Sequence, residues 1–239
     1  MGTLPGYTTK KKVNNALLQT CRRVYLETYH LPPITKEHVF WHPPETGPHG
    51  RFYSDRNGWE REKEMFTCRM MSWQLDLVKE IQIFSQEFWL EQHFPKFCEE
   101  SFMQGIEKVK VTIRRCDWWW NERNHPLAIN PYKGNADTNQ MTWDIMASKE
   151  GKTLEWNMEG WGAAFAKLPK LKEVEIELET SEDKVDELVA IVDWAKGWKF
   201  PLKDGMVLST EGVDAKDVQT WQGPMCFLSQ ICLYYSGFS

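Results

Sequence analysis

The sequence predicts an α/β fold: an irregular, leucine-rich-repeat-like βα solenoid whose mainly parallel sheet carries helices on one face and leaves the other face open. Three observations predict it. Stretches with the two-residue period of a strand and the 3.6-residue period of a helix alternate along the chain, which is the order of parallel βαβ units. The two best strands alternate apolar and charged residues, whereas an ordinary parallel sheet, covered on both faces, shows continuous apolar runs. The intervals between strands are unequal, 28 residues from Ile81 to Val109 and 65 from Val109 to Val174. Any repeat is therefore irregular, and Cys116–Thr153 reads as an insertion.

Taken in order, Met1–Val13 is polar and basic and is expected to fray. Residues 14–239 then form one α/β domain. Ala16–Leu31 has Leu17, Cys21, Val24, Thr28 and Leu31 at steps of 4, 3, 4 and 3, which stacks them on one helical face. Asn14 or Asn15 caps its first turn, and Pro32-Pro33 is expected to end it. Burial of this stripe is expected to organise the fold. His38-Val39-Phe40-Trp41 reads as a short strand and Pro43–Gly58 as a turn-rich loop. Phe66, Met70, Trp73 and Leu77 predict a helix within Trp59–Val78. Glu80–Phe84 is a strand, and Ser85–Gln104 is helical but interrupted where Pro95 starts a new helix. In Ile106–Arg114, Val109, Val111 and Ile113 point one way and Lys108, Lys110, Thr112 and Arg114 the other. In Leu171–Thr180, Val174, Ile176 and Leu178 oppose Glu173, Glu175, Glu177 and Glu179. If the two strands are neighbours, a cationic row lies beside an acidic one, with Lys110 and Glu175 on the open, solvated face. Leu154, Met158, Trp161, Phe165 and Leu168 mark a helix between these strands. Another opens at Ser181 and buries Val185, Leu188, Val192 and Ala195.

Composition narrows the class. With 239 residues, 41% hydrophobic and 26% charged, the chain is long enough for one sizeable core. No apolar run approaches a membrane span and no apolar segment follows Lys10-Lys11-Lys12, so neither a membrane partner nor a signal peptide is expected. Residues 1–134 hold 19 Lys and Arg against 16 Asp and Glu, a net of +3, and residues 135–239 hold 10 against 18, a net of −8. DNA binding normally needs a strongly basic surface and is not expected. The six cysteines show no Cys-x-x-Cys spacing, which points to reduced, buried thiols in an intracellular protein.

Most motif searches are negative. Gly151-Lys152-Thr153 resembles the end of a phosphate loop, but Met146 stands where its first glycine is required. There is no Gly-x-Ser-x-Gly, no His-Glu-x-x-His and no recognisable catalytic motif. His38, His42 and His49 lack further ligands at metal spacing and read as surface and turn histidines, so neither metal nor cofactor is expected. One constellation remains, running from Arg114 to His125 at the C-terminal end of a strand, where α/β sheets place ligand-contacting loops. Its candidate binding residues are Arg114, Arg115, Asp117, Trp118, Trp119, Trp120, Glu122, Arg123 and His125, with Lys110 and Glu175 on the sheet beside them. In an extended stretch Trp119 would project opposite to Trp118 and Trp120. Arginines with exposed aromatics stack on bases, grip planar ligands or anchor protein interfaces. The alternative is that all three tryptophans clamp the insertion to the sheet.

ALLQTCRRVYLETYHLPP followed by HVFW, then IQIFSQEFWLE, WGAAFAKLPKLKEVEIELET and AIVDWAKGWKFPL, resembles a large fungal family of F-box-like proteins, in the segment that follows the F-box. The likeness runs to about Leu208. The Leu-Pro-x-Glu helix of the F-box proper is not found among Met1–Val13, so docking to a ubiquitin ligase by that route is not expected. The resemblance implies an intracellular recognition module, substrate-receptor-like, with a protein partner. The other reading is a fungal secondary-metabolism enzyme with an Arg/Trp-lined pocket near Asp117, Glu122 and His125. Such an enzyme would be amide-forming, acting on a small molecule and drawing on an aminoacyl-tRNA donor.

Overall fold

Four stretches that alternate in hydrophobicity pair side by side in a computed structural model of the chain. It describes residues 15–42, 63–64, 66–120, 123–134, 137–152, 154, 160–211, 219–222 and 227–238. The expectations for Met1–Val13, for the loop Pro43–Gly58, for Met158 and for Glu122 lie outside the described residues. The strands are β1 (His38–His42), β2 (Glu80–Ser85), β3 (Lys108–Ile113) and β4 (Glu173–Ser181). They lie in chain order and all parallel, with Ile83 opposite Val111 and Val111 opposite Ile176. This parallel α/β half is the predicted one.

The sheet continues differently. β5 (Phe200–Pro201), β6 (Val207–Ser209), β7 (Gln219–Gln222) and β8 (Phe227–Phe238) are joined through antiparallel pairs. The order is β1-β2-β3-β4-β8-β6-β5, with β7 also on β8. A repeating βα unit does not account for this half.

One face is apolar and holds the core. Ile81, Ile83, Val109, Val111, Ile113, Val174, Ile176 and Leu178 are fully buried there. They share one cluster with Leu90, Phe94, Phe97, Phe165, Leu188 and Ile191 from the covering helices. The helix after β2 is split as Pro95 requires. Glu87–Gln92 and Phe94–Phe97 are separate, with Pro95 in the first turn of the second, where its missing N–H is no loss. A 3₁₀ turn, Trp161–Lys167, takes the place of the helix expected before β4 and seats Trp161 and Phe165 in the core. Val185–Ala195 packs against β4 and β8 as its stripe predicts. The insertion contains a helix that the sequence reading did not anticipate, Thr138–Lys149. Asp137 caps it by accepting from the Gln140 N–H at 3.0 Å. Its Asp144 is buried and takes Asn130 at 2.7 Å and Lys133 at 3.0 Å, which pins the preceding loop to it.

The stretch expected to organise the fold does not. Asn15–Gln19 is a 3₁₀ turn, Cys21 is extended, and only Arg22–Thr28 is α-helical. Pro32 and Pro33 sit in the first turn of a second short α-helix, Leu31–Thr35, instead of ending the first, because a proline there forfeits no hydrogen bond. Cys21, Tyr25, Leu26, Leu31 and Ile34 are exposed and Val24 only half-buried. The stripe broke at Cys21, so no single face remained to be buried. Among the described thiols, Cys98 is buried as expected, but Cys21, Cys68 and Cys116 are exposed. His38 and His42 lie buried in β1, not on the surface.

The second face carries the charged rows in the expected register. Lys108 reaches Glu173 at 2.7 Å, and Lys110 reaches Glu175 at 3.1 Å and Glu177 at 2.6 Å. Thr112 donates to Glu177 at 2.8 Å and accepts from Gln82 at 3.1 Å. This face is not open, however. Glu175, Glu177 and Glu179 are only 6%, 5% and 2% exposed. Glu175 and Glu177 are held by the lysines and the Thr112 hydroxyl instead of water, which is the condition for keeping charge out of solvent. Burial on its own lowers the Lys110 ammonium, but Glu177 and Glu175 more than offset it and raise its proton affinity above the ordinary value.

Two outcomes follow for stability, both read by denaturant melts. Lys110→Ala uncouples a buried pair and is expected to cost about 3–5 kcal/mol. Cys21→Asp, at the exposed N-cap of Arg22–Thr28 where a carboxylate is favoured, is expected to cost no stability, against about 3–5 kcal/mol for Phe165→Ala in the core.

Candidate functional site at the carboxyl edge of the parallel strands

β1 to β4 run parallel, so their C-terminal ends meet at one edge, and the residues there are Trp41, His42, Phe84, Ser85, Arg114, Glu179 and those just beyond. Arg114 leaves β3 on the charged face. Its Nε and Nη2 donate to Asp117 Oδ2 and Oδ1 at 2.6 and 3.1 Å, and Asp117 Oδ2 also accepts from the Arg114 N–H at 3.3 Å. A bidentate fork of this kind fixes both planes. Trp41 and Phe84 stack at 4.0 Å, and the guanidinium carbon lies 5.0 Å from the Trp41 ring centre and 5.8 Å from that of Phe84. Arg114 and Asp117 form a closed hinge, both buried.

The hinge sets the tryptophan triplet. Arg115–Asp117 is a single 3₁₀ turn, Trp118 is extended, and Trp120 turns into left-handed backbone at φ 56. The stretch is thus a turn and not a strand, and the expected partition fails. Trp118 stands alone, buried, its Nε1 donating to the Glu179 carbonyl at 2.7 Å. Trp119 and Trp120 go together, ring centres 5.9 Å apart. Trp119 is half-buried, edge-on to Phe88 at 5.6 Å, and its N–H donates to Glu87 Oε2 at 3.0 Å. Trp120 is 55% exposed. The Arg123 guanidinium lies 5.8 Å from its ring centre and the His125 ring 6.5 Å away. Arg115, Arg123 and His125 are exposed. The His125 carbonyl accepts from the buried Lys184, which ties the turn to the start of the helix after β4.

The predicted site residues therefore separate into groups. Trp119, Trp120, Arg123 and His125 form a connected aromatic and basic surface, with Arg115 exposed at the turn's start. Arg114, Asp117 and Trp118 build the support beneath it. Lys110 and Glu175 belong to the ion-pair ladder on the charged face. Three residues the sequence reading passed over complete the edge. Phe88 is an exposed ring beside Trp119. Glu87 is buried under the turn, and burial, with like charge from Glu91, raises its carboxyl well above the ordinary range. Glu179 is buried with its Oε1 unpartnered, and burial, then Glu177, pushes its pKa up to about 8. The rule that selected the triplet, proximity to a strand's C-terminal end, selects Glu87 equally. Among the described residues no cluster of three or more His, Cys, Asp or Glu is arranged to hold a metal ion, and no helix is long and apolar enough to cross a membrane.

Compared with protein-family models, with curated proteins and with solved structures, the chain finds no match in any of the three.

Two expected outcomes test this geometry. Trp118→Ala removes a buried indole and is expected to lower stability by about 3–5 kcal/mol, while Trp120→Ala, an exposed change, is expected to leave the melt within about 0.5 kcal/mol. Glu179 is neutral in the folded state where an unfolded carboxyl is ionised. Its contribution to stability is therefore complete below the ordinary carboxylate range and is lost as pH rises toward about 8. Glu179→Gln is expected to remove that loss in melts taken across the range.

Proposed function

We propose that this chain is an intracellular recognition module that binds a protein partner through the turn at the carboxyl edge of β3. The observation that carries the reading is Trp120: a large aromatic, exposed, on left-handed backbone, with Arg123 against its ring and Trp119 and Phe88 beside it. A bulky residue with positive φ costs free energy, and such strain persists where the surroundings enforce it and function uses it. Trp and Arg together are the composition of interface anchors. The rigid support of Arg114, Asp117 and Trp118 suits that role, because a preordered surface loses less entropy on binding. In this reading β1 to β4 act as a short leucine-rich-repeat-like scaffold, and the F-box-like resemblance supports a substrate-receptor character.

The enzyme reading has one feature in its favour, the buried carboxyl of Glu179, whose pKa burial pushes up to about 8, toward the range a proton-transfer group needs. Against it, Asp117 is fully engaged by Arg114, and the Trp118 N–H by a backbone carbonyl, so neither is available to line a pocket. The test is quantitative affinity capture from fungal extract with the wild type, Trp120→Ala and Arg123→Ala, followed by reconstitution with the protein recovered. Each substitution is expected to weaken the reconstituted complex by about tenfold or more, with folding unchanged. Recovery that is equal for all three would refute the reading. Changed metabolite profiles in an overexpressing strain would favour the enzyme.

A further inference from the structure

Glu87 is 1% exposed, yet its surroundings do little for a charge. Its Oε2 accepts the Trp119 N–H at 3.0 Å, and its Oε1 has no partner. The Trp119 Nε1, also buried, has none either. No lysine or arginine among the described residues pairs with Glu87. The titratable groups around it are of the wrong kind to help. Glu91, one turn along the same helix, adds like charge. His42, at the end of β1, is held neutral by burial and by His93, which push its pKa down to about 3. On the turn itself, Asp117 is committed to Arg114, and Arg115 and Arg123 are exposed. This carboxyl spans two elements, the helix after β2 and the turn that presents Trp120, and its bond to Trp119 joins them.

We propose that Glu87 is a positioning residue that makes the Trp119–Trp120 surface proton-dependent: the neutral carboxyl holds the turn against the helix, and the carboxylate can be hydrated only when the turn lifts away. The inference rests on the reading of that surface as the recognition site. The Trp119 N–H favours the carboxylate, but burial outweighs it: the neutral carboxyl keeps that bond through its carbonyl oxygen, whereas an ionised one needs water that the closed turn excludes. The direction follows from linkage. In the open form the group titrates as an ordinary carboxylate, and in the closed form it holds its proton to higher pH. The closed form is favoured most below the ordinary carboxylate range. Above it, the ratio of open to closed rises by about tenfold per pH unit, until the closed form also ionises. Acid therefore preorders the surface, and alkali loosens it.

The test uses the full chain without any partner, labelled with 5-fluorotryptophan and with ¹³C at the glutamate side chains. The ¹⁹F resonances of Trp119 and Trp120 are assigned by Trp→Phe substitution. In the wild type, the Trp119 resonance and the Glu87 carboxyl carbon are expected to titrate together, with a midpoint above the ordinary carboxylate range. Glu87→Gln keeps the acceptor and removes the charge, so its Trp119 resonance is expected to stay at the acid-limit position throughout. Glu87→Ala is expected to sit at the alkaline-limit position at every pH. Glu179→Gln is expected to leave the Trp119 titration in place. A Trp119 resonance that does not titrate in the wild type, or that follows Glu179 instead of Glu87, overturns the proposal. So does an unchanged titration in Glu87→Gln. The readout needs no ligand, so its failure is distinct from a failure to capture a partner.

Discussion

The constraint on which this structure depends is the register of β3 against β4. Four glutamates at alternate positions of one strand repel one another, and here three of them are also buried. That arrangement is tolerable only beside a strand that supplies cations and a hydroxyl at matching heights, and Lys108, Lys110 and Thr112 do so, opposite Glu173, Glu175 and Glu177. A slip by one residue would drive Val109, Val111 and Ile113 onto the charged face and the lysines into the core. The ladder and the apolar core thus select the same pairing from opposite sides of one sheet. Because such ion pairs lose hydration on burial, specificity of pairing is a firmer account of them than net stability.

Register at β3 and β4 also decides what happens at their ends. With the strands in parallel and in phase, Arg114 leaves the sheet beside Glu179, and the Trp118 N–H finds the Glu179 carbonyl. The Arg114–Asp117 fork then fixes the direction in which the chain departs. The exposed Trp120 is the far end of that sequence of constraints, three residues beyond the Arg114–Asp117 fork. Support and surface are adjacent in the chain but differ in chemistry: one is saturated with hydrogen bonds, the other presents rings and guanidinium groups to solvent.

Much of the parallel half was legible from residues alone, because Val109–Ile113 and Val174–Leu178 carry a two-residue period and Pro95 a specific helical position. The rest was illegible for physical reasons. Periodicity at Leu17, Cys21 and Val24 signals only what a helix would bury, and short helices in water owe their formation to tertiary packing; here the chain is extended at Cys21. Strand alternation at Glu175 and Glu177 reports the side of the sheet, not whether water reaches it. Nothing in the residue types of the triplet excludes an extended stretch: a left-handed Trp120 is a property of the turn closed by Arg114 and Asp117, and no residue type announces it. In the antiparallel half β5 and β6, and β7 and β8, are neighbours in the chain, but β8 pairs with β4 and β6 across long stretches of it, which local patterns do not encode.

β8 comes last among the eight described strands, yet it sits between β4 and β6 and pairs with β4 over nine positions, from Glu173 opposite Ser236 to Ser181 opposite Leu228. The middle of the sheet is therefore synthesised last. Until residues 227–238 leave the ribosome, β4 can dock on β3 but keeps a full row of backbone donors and acceptors bare on its other side. A nascent edge of that length, next to apolar Val174, Ile176 and Leu178, is a template for pairing with a neighbouring chain. Closing it requires a contact between strands far apart in the chain, which slows folding. Production of this protein should accordingly be limited by the lifetime of that unfinished edge: slower translation lengthens the exposure, and chaperones that shield strands shorten it.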